Sequence, residues 1–315
     1  MSDLDLLVAI AKLYYEDGIT QEKIAKELGL TRLRVIDMLK RAKAEGIVRF
    51  QIINPTADFV ELGCLVAEKY GLQKVIIVPS IPDNATIQRQ SLAKAASTYL
   101  NETLESRDVL GIGWGLSVLA TTKFLQDYEK RSITVVPLIG GGTETFPQYE
   151  VNALTLCFSK VFGGDWYPLY TLALADTMFI RDVIVTDSKI SRVLAFWNRL
   201  DTVLIGIGAM TVRFPDLFEK HLEVEPIDFH SQDIVGDVLC RFYDIHGREV
   251  QLDLAQRMIG ADFENLRNAK RVIGVAGGVT KYKAILGAVR GKIVDVLITD
   301  HDTATRLLEA SEDSP

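Results

Sequence analysis

A chain of 315 residues, 48% hydrophobic and 24% charged, carries ample material for packed cores, which excludes a disordered or low-complexity protein. Its formal net charge of -7 excludes a uniformly basic nucleic-acid coat, so any contact with DNA has to come from a local basic face. No apolar run has the length that a bilayer crossing needs, and the opening MSDLDLLVAIAKLYYEDG reads as an acidic, amphipathic helix and not as a signal peptide, so no membrane partner is expected. Three scattered cysteines (Cys64, Cys157, Cys240) and four histidines without ligand spacing point to buried thiols in a cytoplasmic setting, with no disulfide and no structural metal.

The segment Thr20 to Ala42, TQEKIAKELGLTRLRVIDMLKRA, has the spacing of two short helices joined by a tight turn. Ile24, Ala25 and Leu28 give the first helix one buried face, Gly29 supplies the positive φ of a sharp helix end, and Thr31 caps the next helix. Val35, Leu39 and Ala42 repeat at helical spacing and pack back on the first helix. Thr31, Arg32, Arg34, Ile36, Asp37, Lys40 and Arg41 are left on or near the outward face, on a helix of a size that the major groove admits. A solvated helical hairpin is the bland alternative. From Thr31 to Arg49, six basic residues (Arg32, Arg34, Lys40, Arg41, Lys43, Arg49) face two acidic ones (Asp37, Glu45), a local balance of +4 on an acidic body. The alternating stretch Gly46 to Ile53 predicts a β-wing beside these helices.

Asn54-Pro55 is a turn signal and marks the expected boundary between a winged helix-turn-helix over 1–53 and a second domain over 54–315. Beyond it, apolar runs at Lys74–Val78, Asp108–Ile112, Ile133–Leu138, Thr202–Ile207, Arg271–Val275 and Val294–Thr299 predict strands buried on both faces. Helical patterns at Ala85–Leu104, Leu116–Leu125, Val151–Val161 and Lys281–Val289 lie between them. Alternation of this kind predicts an α/β fold, a mostly parallel, doubly wound sheet covered on both sides.

In such a sheet the loops after the strands gather at one edge, where ligands bind. Here the strands run into glycine: Gly111-Ile-Gly113-Trp-Gly115, Gly140-Gly141-Gly142, Gly206-Ile-Gly208 and Gly277-Gly278. Glycine lets backbone N–H groups approach an anion, and several such loops at one edge argue for an anion site, most simply a phosphate. Ser117, Thr143, Thr145 and Lys281 follow these loops as polar hands, with helix capping as the bland alternative for Ser117 and a solvated surface role for Lys281. Asp237, in IVGDVLCRFYD, is placed to accept from sugar hydroxyls or to cap a turn after Gly236. The run Thr299-Asp300-His301-Asp302-Thr303 reads as capping chemistry at the start of the last helix. GIGWGLS falls one residue short of the dinucleotide spacing, so no nicotinamide cofactor, and no other cofactor, is expected. An isomerase or deaminase would need a general base beside a carbonyl-polarising group, a pair that Asp237 with Lys281 could supply. A DNA reader accounts for Thr20 to Ala42 and an enzyme does not, so the chain reads as a non-enzyme.

The chain resembles the SorC family of sugar-responsive bacterial transcriptional regulators. The likeness runs through LYYEDGITQEKIAKELGLTR, VPLIGG, VNALT, VGDVLCRFYDIHG and VIGVAGGVTKYKAILGAVRGKIVDVLITDHDTA, nearly the full length. It implies a winged helix-turn-helix, a second domain similar to sugar-phosphate isomerases and deaminases, assembly into homodimers and homotetramers, operator DNA as partner, and a sugar or sugar-phosphate effector. Carried onto this sequence, it places Tyr14 and Gln21 at the DNA surface. It places Gly113, Trp114, Gly115, Leu116, Ser117, Gly141, Gly142, Glu150, Asn152, Asp237 and Lys281 at the effector. Two positions depart from the pattern. Ile36 and Asp37 stand where many relatives carry a serine and a basic residue, so the operator is this chain's own. Trp114 and Leu116 occupy a loop richer in threonine in some members, which leaves sugars, polyols and their phosphates all open as effectors.

Overall fold

The computed structural model describes residues 3–48, 55–126, 128–142, 150–210 and 233–311. The chain divides into two compact units, Met1–Pro55 and Thr56–Pro315.

The first unit is built on three helices, α1 (Asp3–Tyr15), α2 (Gln21–Glu27) and α3 (Arg32–Ala44). Thr20 and Thr31 are N-caps in extended backbone, their hydroxyls accepting from the Lys23 and Arg34 N–H at 3.4 and 3.2 Å. Gly29 has φ +67° just after α2, where the Leu30 N–H donates to Ala25 O, the left-handed exit that stops a helix cleanly. Leu7, Ile10, Ile24, Val35, Met38, Leu39 and Ala42 close the core. Met38 joins that core although the apolar spacing singled out only Val35, Leu39 and Ala42. Ile36, expected outward, is half-buried. The β-wing expected over 46–53 lies outside the described residues from 49 onward.

Helix α4 (Pro55–Tyr70) begins at the boundary residue and leads into the second unit, which is organised by a seven-stranded sheet. Its strands are β1 (Lys74–Val78), β2 (Val109–Ile112), β3 (Ile133–Pro137), β4 (Gly164–Trp166), β5 (Thr202–Gly206), β10 (Arg271–Val275) and β11 (Val296–Asp300), in the spatial order β1-β11-β10-β5-β2-β3-β4. Every neighbouring pair is parallel. Parallel strands need crossovers, and α5 (Ala85–Thr103), α6 (Leu116–Thr122), α7 (Val151–Phe162) and the helices Tyr282–Arg290 and His301–Glu309 supply them, covering two separate apolar cores. The last strand starts two residues later than its apolar run suggests, because Ile293 still donates to Ala288 O in closing the preceding helix.

Three features go beyond the expected elements. Helices α8 (Met178–Thr186) and α9 (Ser188–Leu194) fill the interval before β5. A short strand, β4, extends the sheet at the edge opposite β1. A four-stranded antiparallel ribbon, β6 (Gly208–Ala209), β7 (Gly236–Val238), β8 (Arg241–Tyr243) and β9 (Glu249–Val250), stands beside the main sheet. Strands of two or three residues carry no readable period, which is why no apolar run announced them. The cysteine reading needs a correction as well: Cys240 is buried, but Cys64 and Cys157 lie exposed on the solvent sides of α4 and α7.

Candidate functional site

In the first unit, the outward face of α3 exposes Arg32, Leu33, Arg34, Asp37 and Lys40. Thr31 is exposed at the start of that helix, Gln21 is half-buried at the start of α2, and Tyr14 is half-buried, its ring edge-on to Tyr15 at 4.8 Å. The basic surplus is smaller than the sequence balance suggests. Asp3 of α1 takes Arg41 at 2.9 Å and Arg34 at 3.9 Å, and Arg41 also meets Glu45 at 3.1 Å. Arg32 and Lys40 make no ion pair among the described residues. Leu33, 78% exposed on the first turn of α3, is an apolar side chain that the charge-led reading passed over.

In the second unit, the carboxyl ends of β1, β2, β5, β10 and β11 surround a cavity of about 750 Å³. Trp114, Gly115, Leu116, Ser117, Asp237 and Lys281 line it, drawn from stretches more than 160 residues apart. Gly206, Gly208, Gly277 and Gly278 complete the glycine-rich rim. Ser117 is buried within the first turn of α6 and caps nothing; the N-cap is Gly115, with φ +112°. Gly113 lies beneath the wall. A Cβ there would press on Leu239 at 2.9 Å and Ile205 at 3.0 Å, so glycine is what lets the ribbon pack against the sheet.

The other carried-over residues stand elsewhere. The Glu150 carboxylate caps α7, accepting from the Ala153 N–H at 2.7 Å and from the Asn152 side-chain amide at 2.9 Å. Asn152 in turn clamps residue 169, accepting from its N–H at 2.8 Å and donating to its carbonyl at 3.1 Å. Gly141 exchanges backbone hydrogen bonds with Thr171 and Ala173. Neither it, Gly142, Glu150 nor Asn152 is on the cavity wall among the described residues; Thr143 and Thr145 lie outside them.

Asp237 and Lys281 face each other electrostatically without forming an ion pair. Burial pushes the Asp237 carboxyl up to about 6, against the pull of the Cys240 N–H at 3.2 Å and of the Lys281 charge. Burial likewise pushes Lys281 down to about 8; Asp237 opposes that shift and the positive charge of Arg89 adds to it. The Lys281 ammonium donates to Ile207 O at 2.5 Å, which fixes it at the β5–β6 junction. It is not the solvated surface lysine of the bland reading. Arg89, on the second turn of α5, has no ion pair among the described residues and also lines the cavity. Two cations in a partly dry cleft, near the N-terminus of a 19-residue helix, make an electropositive end.

The opposite chemistry gathers beside it, where Asp83, Asp300 and Asp302 line the same cavity. Asp300 is a structural hub as well as a cap. Its carboxylate accepts from the Ser80 hydroxyl at 3.1 Å, the Gly278 N–H at 2.6 Å, and the Thr303 N–H and hydroxyl at 3.1 and 2.8 Å. A Cβ on Gly277 would collide with that carboxylate. The capping expected of residues 299–303 is therefore real, and it also ties three strand-end loops together. Gln88 does the same for the loop after β1, accepting from the Ile81 N–H at 2.6 Å and donating to Pro79 O at 3.3 Å.

Sequence reasoning missed the loop 79–84, Arg89 and the turn Leu239-Cys240. The first could have been found: it follows a strand, carries proline, aspartate and asparagine, and leads into a capped helix. The second follows from it, one turn in. The third carries no signal. Leu239 and Cys240 join β7 to β8 with φ values of +54° and +59°, a two-residue hairpin turn usually built from Asn-Gly. Side chains rarely hold that backbone. Here the Cys240 N–H bonded to Asp237 and the burial of both side chains keep it in place, and both line the cavity.

The comparisons with known proteins agree over nearly the whole chain. Residues 54–309 match the family model described as "Putative sugar-binding domain". The sorbitol operon regulator of Klebsiella pneumoniae is 31% identical over 312 residues, 98% of each chain. The deoxyribonucleoside regulator of Bacillus subtilis is 30% identical over 307 residues, 96% of this chain and 97% of that protein. The crystal structure of the full-length Klebsiella regulator superposes with a TM-score of 0.75, covering 98% of this chain and 99% of its own. All of these relatives carry the names of regulators and not of enzymes. With a parallel sheet whose strand ends enclose one cavity, and a helical unit ahead of it, the chain belongs to the SorC family of sugar-responsive bacterial transcriptional regulators.

Proposed function

We propose that residues 1–53 read an operator and residues 54–315 bind a phosphorylated sugar whose presence sets operator affinity. The observation that carries this reading is the pair of cations, Arg89 and Lys281, facing one cavity without ion-pair partners among the described residues, while Asp237 lies buried within electrostatic reach. An anionic head at Arg89, Lys281 and the start of α5 would pair with both cations and return to Lys281 the interaction that burial denies it. Asp237 and Ser117 face the remainder of the cavity, where hydroxyls donate and accept, and the Trp114 ring offers an apolar side to a sugar.

On the DNA side, paired heads set α3 into successive major grooves of a two-fold operator, with Arg32, Arg34 and Lys40 against phosphates. Tyr14, Gln21 and Thr31 flank them, and Arg41, held by Asp3 and Glu45, acts at the edge of the contact. Leu33 reads a thymine methyl. Homodimers and homotetramers bring the heads together. The effector favours one arrangement of subunits over another, and its differential affinity, typically about 1–3 kcal/mol, is what couples the two sites.

The test is thermal stabilisation against a panel of sugars, polyols and their phosphates, repeated on Lys281→Ala and Arg89→Ala. A phosphorylated sugar raises the melting temperature of the native chain in a concentration-dependent way and its unphosphorylated counterpart does not; both variants lose the shift. Stabilisation by unphosphorylated polyols alone, retained in both variants, would overturn the phosphate assignment.

A further inference from the structure

Two apolar side chains stand at helix starts, where polar residues are the rule. Leu116 opens α6 and Val279 opens the short helical turn Val279–Lys281, each directly after a glycine of positive φ, Gly115 at +112° and Gly278 at +100°. They are 40% and 68% exposed. A lone exposed leucine or valine needs no explanation, but these two line one cavity. Sheet order fixes how far apart they begin. β2 and β10 pair with β5 from either side, so the strand ends that launch Leu116 and Val279 lie about 10 Å apart, twice the spacing of neighbouring strands. Between them, at the end of β5, Gly206 leaves the floor open: a Cβ there would meet nothing closer than 3.8 Å. A separation of about 10 Å is that of two packed sheets, whose side chains close it completely. Here the two side chains remain exposed, and the slot between them is unfilled among the described residues.

The size of the cavity and the placement of its polar groups agree with this. Sites for drug-sized ligands run from about 300 to 1,000 Å³, and a free hexose phosphate, with about 16 non-hydrogen atoms, needs only the low end of that range. The cavity holds about 750 Å³. Its acidic rim does not reach the slot, because Asp83 follows β1 and Asp302 follows β11, on the far side of β10. Leu116 and Val279 give water no side-chain hydrogen-bond partner, so hydrocarbon displaces it there favourably. A flat ring, with carbon contacts at about 3.5–4.0 Å on each face, spans what the two side chains leave. We infer that this slot is a subsite for an aromatic group, and that the effector is a phosphorylated glycoside carrying an aryl aglycone, in place of a free sugar phosphate. The inference rests on the phosphorylated-sugar reading for the other end of the ligand. The slot itself is argued from Leu116, Gly206 and Val279 alone.

The test is titration calorimetry of the full chain against paired ligands: aldohexoses phosphorylated at the primary hydroxyl and their phenyl glycosides of both anomers, each pair repeated without the phosphate. The phenyl member of at least one phosphorylated pair binds about 10- to 100-fold tighter than its free sugar phosphate, the gain expected from burying most of a ring. In Leu116→Asn and in Val279→Asn that ratio falls to about threefold or less, whereas Leu116→Met and Val279→Ile keep it. Both positions are exposed, and unchanged circular dichroism and melting mark a folded variant. Phenyl glycosides that bind no better than the free sugar phosphates, or a gain that survives both asparagine variants, would overturn the inference and leave the sugar-phosphate reading standing. A phenyl gain of equal size with and without the phosphate, at equal affinity, keeps the subsite and overturns the phosphate. Binding by no member of the panel overturns both.

Discussion

The reading head and the cavity solve opposite problems with the same twenty side chains. In the head, the working groups point to solvent, and the buried residues serve only to hold three short helices together. In the cavity, the proposed binding groups are drawn in from solvent, and the altered proton affinities of Asp237 and Lys281 come from the burial that positions them. A surface function is therefore exposed to loss of stability, whereas a buried one is exposed to loss of charge or geometry.

The largest effect tests that separation. Met38 is completely buried in the small core of the head, and Met38→Ala leaves a cavity costing about 2–5 kcal/mol, comparable to the whole stability of so small a unit. Operator binding, read by footprinting, is lost, while the thermal shift produced by effector on the second unit survives. Loss of both would show that the two units do not fold independently.

Next in size is Lys281→Ala, which removes a charge-assisted contact of about 1.5–3 kcal/mol and weakens an anionic effector roughly 10- to 150-fold by calorimetry. Operator affinity without effector stays as it was. A drop there would mean that the Lys281 bond to Ile207 O supports the fold more than the ligand.

The pH dependence sharpens the contrast further. Lys281 gives up its proton near 8 in the native cavity, so affinity for an anion falls as the pH rises through 8, by at most about tenfold per unit, and binding to Lys281→Met shows no such step. Stability responds with two opposite signs. The native chain holds the Asp237 proton up to about 6, above the ordinary carboxylate value of 3.8, so stability falls as pH rises from about 4 to 6. Lys281 is deprotonated at about 8 in the native chain but only at 10.5 in the unfolded one, so stability rises again across that window. Urea titrations of Asp237→Asn flatten the first limb and start the second at lower pH, because the Asp237 charge that helps Lys281 keep its proton is gone. A first limb unchanged in that variant would assign it to another carboxylate.

The smallest effects belong to the exposed face. Arg34→Ala reduces the slope of log affinity against log salt by about 1 and weakens operator binding alike across sequences. Asp3→Asn, which frees Arg34 and leaves Arg41 to Glu45 alone, strengthens binding by a few-fold at low salt, because exposed ion pairs of this kind contribute only about 0.2–1 kcal/mol. Weaker binding in that variant would mean that Asp3 orients the arginines and does not merely compete for them.

Much of the molecule was legible in the order of its residues. Lys74–Val78 and Arg271–Val275 are strands at the expected residues, because an apolar run bounded by polar residues leaves a doubly covered strand no other place. Gly29 and Thr31 marked the helix ends, since capping and left-handed exits depend on one residue and its immediate neighbours. The cavity was legible only in part. Ser117, Asp237 and Lys281 could be named from nearby glycines, whereas Arg89 follows only from the loop after β1, which a strand order with β1 next to β11 brings to the cavity.

What the sequence alone determined is local: the three-helix head with its caps, the alternation of strand and helix, and the glycine loops that mark one edge of the sheet. Tertiary structure decided the rest. It turned Glu150 and Asn152 into clamps, drew Arg34 and Arg41 to Asp3, put Leu239 and Cys240 into a left-handed turn, and left α8 uncovered. Those outcomes depend on desolvation and on through-space distances, and residues far apart along a chain carry no mark of either until the sheet has brought them together.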